Sequence, residues 1–446
     1  MHRIPSALLF ALAAGSAQAG LYDVDPGPYT LGTGNFAAWY QDTHGRVLDL
    51  CLSRARSSRV PSVPGDVPSY MCTLLPTPEV FDDAQPLSFP DNFPDEAFWF
   101  TADASLVDAA RGIDLTYVSA IEAAFAAEEP VEGDQVSFAR IRIRVDVPSA
   151  GVYTITHPYG VEVFDVPAGG RRAINMTRDI GIGAPKTYSG ALKGDVGPFL
   201  RSRNGPYVET NPDTGAQETF IGDPNLTEAV TGSPFNTNYV RIEGPNGLDL
   251  RTELFAVSGK LSTVNRPTPL MVQRATYSRE TVNGNPKAQQ DVFALAPPPP
   301  GTAGFLDSAG SEVAMSEANA TGNWYGQSAA NPALPVQLQV EADNSAAIPT
   351  SSPTTRAQPL VDLVSIHSAR YSLASGQLSI EASTSDKVSP PALSAVAGES
   401  GQAIGSLSGD GPSKSLSTGI APIPPATVRV ISANGGSDSE EVELLP

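Results

Sequence analysis

Between Ala139 and Val147 the chain alternates regularly: Ile141, Ile143, Val145 and Val147 are apolar, and Arg140, Arg142 and Arg144 stand between them. Successive side chains of a strand point to opposite faces, so this period of two predicts a strand with one buried and one wet face. A turn at residues 148–151 leads to Tyr153 and Ile155. After the break His157-Pro158-Tyr159-Gly160 come Val161, Val163 and Val166. The expectation is a three-stranded antiparallel meander. Just before it, Leu115, Val118, Ile121 or Glu122, and Phe125 stand at helical spacing, which predicts one short helix packed on the sheet.

Beyond about residue 260 aromatic residues thin out and a pattern repeats. VQRATYS at 272–278 and LQVEADN at 338–344 bracket one segment; IHSARYS at 366–372 and VRVISAN at 428–434 bracket another. Ala275 and Tyr277 correspond to Ala369 and Tyr371. Two segments of about 90 residues, rich in short strands and turns, predict two immunoglobulin-like β-sandwiches. The Ser-, Thr- and Pro-rich stretch between them reads as a linker. The expected division is an N-terminal β-rich domain over 20–262, sandwiches over 263–344 and 359–446, and a linker over 345–358. The fold class is therefore mainly β.

Residues 1–19, MHRIPSALLFALAAGSAQA, have the basic start, short apolar run and small terminal residues of a secretory signal peptide. The apolar run is far shorter than the roughly 20 residues that span a bilayer, and no later segment is long and apolar enough. The protein is expected to be exported, to the periplasm or beyond the cell. Export makes a disulfide the natural reading of the two cysteines, Cys51 and Cys72, because a structural zinc site needs four ligands and a redox pair needs C-x-x-C. The bridge closes a loop containing Pro61, Pro64, Gly65 and Pro68.

Composition narrows the function classes. A formal charge of −20 lacks the basic face that nucleic-acid binding needs. Gly 40 and Pro 41 fit a loop-rich β protein rather than a helical one. The signal peptide, the dense N-terminal half with WYQDTHGRVLDLC and the paired repeats together resemble exported bacterial proteins that carry C-terminal immunoglobulin-like repeats and have no assigned activity. The resemblance implies a fold and brings no functional residues with it.

Candidate chemistry is sparse. Asp42 and His44 invite a hydrolase reading, but no G-x-S-x-G elbow accompanies them. Asp91, Asp95 and Glu96 lie beside Phe98, Trp99 and Phe100, although adjacent carboxylates on a strand face opposite ways, unlike the pair that cleaves a glycoside. No metal motif and no cofactor motif is present. Asp23 with Asp25, or Asp82 with Asp83, are the weak candidates for Ca²⁺. The run Gly222-Asp223-Pro224-Asn225 reads as a turn. The remaining signal is Arg54, Arg56 and Arg59, grouped inside the Cys51–Cys72 loop, with Trp39 and Tyr40 upstream. Guanidinium groups on a stapled loop suit an anionic glycan, surface or protein. The resulting expectation is a non-enzymatic binding or surface-interaction protein with the sandwiches as spacers; the alternative is a secreted hydrolase acting on a polysaccharide or another polymer.

Overall fold

The structure is a computed structural model. It describes residues 20–61, 68–307, 309–330 and 333–446; the expected signal peptide, and Pro64 and Gly65 of the stapled loop, lie outside the described residues. The chain is mainly β and forms two compact units, the first ending at Val264 and the second running from Asn265 to Pro446. No helix among the described residues is long and apolar enough to cross a membrane.

Three sheets build the first unit. One has the order β1 (Leu21–Val24), β2 (Trp39–Asp42), β3 (Val47–Asp49), β17 (Lys260–Leu261), β12 (Gln217–Phe220), β11 (Tyr207–Thr210). The largest runs β10 (Arg201–Ser202), β13 (Glu228–Thr231), β16 (Leu254–Ser258), β4 (Glu96–Asp108), β5 (Ile113–Phe125), β6 (Gln135–Val147), β9 (Gly170–Ile180). The third is β15 (Leu248–Thr252), β14 (Val240–Gly244), β7 (Gly151–His157), β8 (Gly160–Val166). Tyr117, Ile141, Ile143 and Val145 of the large sheet share one core with Tyr153, Ile155, Val240 and Ile242 of the third.

Two local expectations are corrected. Residues 113–125 form strand β5, not a helix, and pair along their length with β4 and β6. Ile113, Leu115 and Tyr117 are buried and Asp114 and Thr116 exposed, so the period is two. The alanine- and glutamate-bearing end of the segment has helical propensity, and two long strand neighbours override that weak preference. β6 does alternate as expected, but it pairs with β5 and β9, while β7 pairs with β8 in a different sheet. The chain changes sheets at Pro148, which has no donor for a ladder. Gly169 packs there so closely that a Cβ would sit 2.4 Å from the Pro148 carbonyl.

In the second unit, one sandwich stacks β23 (Ser316–Glu317), β24 (Asn323–Gln327), β20 (Asn285–Leu295), β19 (Met271–Val282), β28 (Val361–Asp362) on β22 (Glu312–Ala314), β21 (Thr302–Leu306), β25 (Gln337–Asp343), β27 (Thr354–Pro359). The other stacks β33 (Ser413–Gly419), β30 (Gln377–Thr384), β29 (Val364–Ser372), β36 (Glu443–Leu445) on β32 (Ala403–Ser406), β31 (Leu393–Ala397), β34 (Thr427–Ser432), β35 (Ser437–Glu441). Apart from the short β23, strand order is the same in both. Each leading hairpin slips register at the corresponding place, between Val272 and Arg274 and between Ile366 and Ser368. Each sandwich ends on a strand parallel to its first, β28 on β19 and β36 on β29.

The expected linker is instead part of the first sandwich. Residues 345–358 carry β26 (Ser351–Ser352), which pairs with β18 (Arg266–Pro267), and most of β27, which pairs with β25. β27 is a sheet edge of Thr, Arg and Gln side chains, so it carries no apolar alternation to betray it.

Only Leu363 separates β28 from β29, and the two sandwiches interlock there. Arg279 N donates to Ser385 O at 3.0 Å and Lys387 N to Arg279 O at 2.8 Å. The Arg279 guanidinium grips Asp386 through Nε at 3.0 Å and a second nitrogen at 2.5 Å, and Tyr277 adds its hydroxyl at 3.2 Å. Asn434 Nδ2 donates to that same hydroxyl at 2.8 Å. Gly436 passes so near Asp362 that a Cβ would lie 2.0 Å from its carbonyl oxygen.

Candidate functional site

Cys51 and Cys72 are bonded, and the bridge sits in its own small core with Ala55, Tyr70, Met71, Leu74, Phe81 and Phe220. Among its described residues little regular pairing supports the loop: an isolated bridge joins Arg56 to Tyr70, Ser57 N donates to Ser69 O at 2.8 Å and Met71 N to Ala55 O at 2.9 Å. Side chains from β11, β12 and their surroundings complete it.

The loop arginines are largely committed inward. Arg54 pairs with Asp213 and also donates to the carbonyls of Asp83 and Gln85 at 3.0 and 3.2 Å. The hydrogen bonds from Arg54 to Asp213 hold that carboxyl below its usual range. Arg59 reaches Glu209 at 2.9 Å and Asp223 at 3.1 Å, and lies 3.8 Å over the Tyr207 ring. Asp223 is fully buried and takes a further bond from Ser57 Oγ at 2.5 Å. Arg56 is the exposed member, its guanidinium 5.7 Å from the Tyr70 ring centroid. Trp39 and Tyr40, the aromatic residues grouped with the arginines in the sequence, are both buried, and the Tyr40 hydroxyl donates to Tyr188 O at 2.7 Å within the core.

Beside the loop lies a groove of about 400 Å³ that the sequence did not signal. Lys260 stands directly opposite Asp49 across the β3–β17 pair, and its Nζ is 3.6 Å from Asp49 Oδ2 and 3.5 Å from Glu218 Oε1. Asn211 Nδ2 donates to Glu218 Oε1 at 3.2 Å and Ser53 donates its hydroxyl to Oε2. Burial pushes the Asp49 carboxyl up, against the pull of Ser262 and Lys260. Leu52 and Leu87 supply apolar wall, and Asp213 stands at the edge with Arg54 attached.

Several of the other sequence candidates hold the backbone around them. Asp42 is fully buried and accepts from Arg46 N at 2.8 Å and Phe199 N at 2.9 Å, so it organises the β2–β3 turn; burial raises its pKa. His44 is buried beside it. Asp25 accepts from Gly27 N at 3.0 Å and Ala38 N at 2.7 Å, and Asp23 from Val24 N at 2.9 Å. Asp95 accepts from Thr77 Oγ1 at 2.9 Å. Asp82, Asp83 and Asp91 line a shallow groove of about 570 Å³ with Glu79, where Asp82 Oδ1 accepts from Ala84 N at 2.9 Å. Among the described residues no group of three or more His, Cys, Asp or Glu side chains is arranged to hold a metal ion.

One partly buried polar cluster had no sequence signal. His157 Nδ1 lies 3.3 Å from the Tyr117 hydroxyl, its Nε2 is 3.9 Å from Glu162, and Arg178 bridges Glu162 at 2.7 Å and Asp195 at 2.9 Å. His157 and Arg178 hold the Glu162 carboxyl down to about 2, and burial lowers the His157 pKa. Tyr117 and His157 are sealed from solvent, while Glu162, Arg178 and Asp195 reach it, and the cluster ties β5, β7, β8 and β9 together.

No family model matches the chain, and no curated protein matches it. Among solved structures, the chain is similar at 12% identity to one described as "Structural insight into host cell surface retention of a 1.5-MDa bacterial ice-binding adhesin", covering 69% of this chain and 91% of that one with a TM-score of 0.13. A tetra-tandem repeat in the extending region of a large adhesion protein is also 12% identical, covering 78% of this chain and 94% of that one with a TM-score of 0.15. Superposition at this level carries no argument about function.

Proposed function

We propose that the protein is an exported surface-interaction protein, with recognition in the first unit and the two immunoglobulin-like sandwiches as a stiff spacer. The observation that carries this reading is the interlock at Leu363. Two hydrogen-bonded backbone segments and the Arg279–Asp386 pair join consecutive sandwiches across one residue, which suits a part that holds its load at a fixed distance. The disulfide in a loop with little pairing of its own is consistent with an oxidising compartment outside the cytoplasm. Of the three loop arginines, Arg56 is the exposed one and has no carboxylate pair among the described residues, so it is the one left to meet an anionic partner. The test is retention of the whole exported chain on intact bacterial cells and on polysaccharide-coated beads. Saturable retention without breakdown of the polymer supports the reading; no retention on any surface overturns it. The hydrolase reading rests on Asp49 and Glu218 facing one groove, and release of reducing ends that disappears in Glu218→Gln would favour it.

A further inference from the structure

The geometry points to the Asp49–Lys260–Glu218 groove as a binding site for an uncharged sugar unit of a glycan, an inference that rests on the surface-recognition reading. The groove's volume of about 400 Å³ falls at the small end of the roughly 300–1,000 Å³ usual for ligand sites. Its polar groups alternate: carboxylate, ammonium, carboxylate, with an amide and a hydroxyl behind the second. Carboxylates only accept and an ammonium only donates, whereas a sugar hydroxyl does both. Neighbouring hydroxyls can therefore donate to Asp49 or Glu218 while accepting from Lys260, and the leucine wall suits the C–H face of a ring. Lys260 and Glu218 keep 22% and 15% of their side-chain surface, enough to be reached and little enough to make each lost hydrogen bond felt.

Charge selects within the sugars. Asp49, Glu218 and Asp213 face two cations, Lys260 and Arg54, so the groove carries a surplus negative charge that disfavours a uronate or a sulfated sugar. The partner of this site is thus uncharged, unlike the anionic one that the arginines of the loop suggest.

The test titrates the whole exported chain with maltose, cellobiose, lactose and N,N′-diacetylchitobiose, with galacturonate as the charged comparison. The expected result is saturable binding of at least one neutral disaccharide, at least tenfold weaker in Glu218→Gln, and none of galacturonate. Gly32→Trp supplies a second variant: this exposed glycine lines the groove, and only Thr30 Oγ1 lies within 4 Å of where its Cβ would sit, so a bulky side chain can start from there and obstruct the groove. It should abolish binding with the thermal midpoint unchanged. Failure of all four disaccharides to bind the folded chain, unchanged binding in both variants, or preference for galacturonate overturns the proposal. Cell retention measured in parallel separates the two readings. Retention that survives both variants removes the groove's role and leaves surface recognition standing; absence of retention in the unmutated chain removes surface recognition, and the titration alone then decides the groove.

Discussion

The stapled loop and the joint between the sandwiches use the same device. In each, an arginine that keeps 27% of its side-chain surface reaches an aspartate that keeps none: Arg59 to Asp223 and Arg279 to Asp386. Each aspartate is also satisfied by its own neighbourhood, Asp223 by Ser57 Oγ and Asn225 N, Asp386 by the backbone N–H groups of Val388 and Ser389. The difference is what surrounds the pair. The loop has few backbone bonds and a covalent bridge; the joint has no bridge, but its flanking backbones hydrogen-bond to one another. A buried carboxylate can anchor a segment, but something else must confine the chain around it, and the molecule uses cross-linking in one place and strand-like pairing in the other.

Removing the anchor should hurt most where no covalent bond backs it. Asp386→Ala leaves Arg279 without its carboxylate at the joint, and a loss of about 3 kcal/mol or more is expected in denaturant unfolding of the whole chain. A loss below 1 kcal/mol would show that the backbone bonds alone hold the joint. Replacing Cys51 and Cys72 together by serine should cost about 3 kcal/mol, the chain-entropy value for a loop of this size, read as a lower unfolding midpoint of the first unit. Asp223→Ala should cost less, about 2 kcal/mol, because Glu209 still holds Arg59 and the bridge still closes the loop. Combining it with the cysteine replacements should give more than the sum if the bridge is what softens the loss.

Acid offers a finer probe. Burial raises the Asp386 pKa, but bonds from Arg279 and Ser389 N outweigh it and hold the carboxyl below 3.8. A depressed folded pKa means that its stabilisation is complete above the unfolded value and is lost as pH falls through the folded one. The second unit should therefore weaken below about pH 4 in the unmutated chain, and the difference from Asp386→Asn should shrink over that range. Calorimetry at several pH values checks it, and a difference that stays constant with pH would contradict the assignment. The smallest effect is reserved for Arg56→Ala, exposed and without a carboxylate pair among the described residues, expected within about 0.5 kcal/mol of the unmutated stability.

What could be read from the sequence was local. The alternation at Arg140, Arg142 and Arg144, the β7–β8 hairpin, the cysteine pair and the matched Ala-x-Tyr motifs all have their information within a few residues or in an obvious repeat. Residues 113–125 read as a helix because alanine and glutamate speak for one, while the two long neighbouring strands that decide the matter lie outside the segment. β27 was missed because a polar edge strand has no apolar signature. The loop arginines look available in the sequence because their partners Glu209, Asp213 and Asp223 are 150 residues or more away. The groove needed positions 49, 218 and 260 to be brought together by the order β3, β17, β12, which no periodicity announces.

The parallel closing strands have a mechanical consequence. Where the first and last strands of a sandwich lie side by side and run the same way, tension applied to its two ends slides one strand along the other instead of peeling them apart. The ladder bonds between them then share the load and must fail together. β28 on β19 and β36 on β29 place both repeats in this shear geometry, with a single residue, Leu363, passing the strain from one to the next. A sandwich loaded in this way yields by unfolding all at once, at a rate set by its unfolding barrier, rather than by gradual extension.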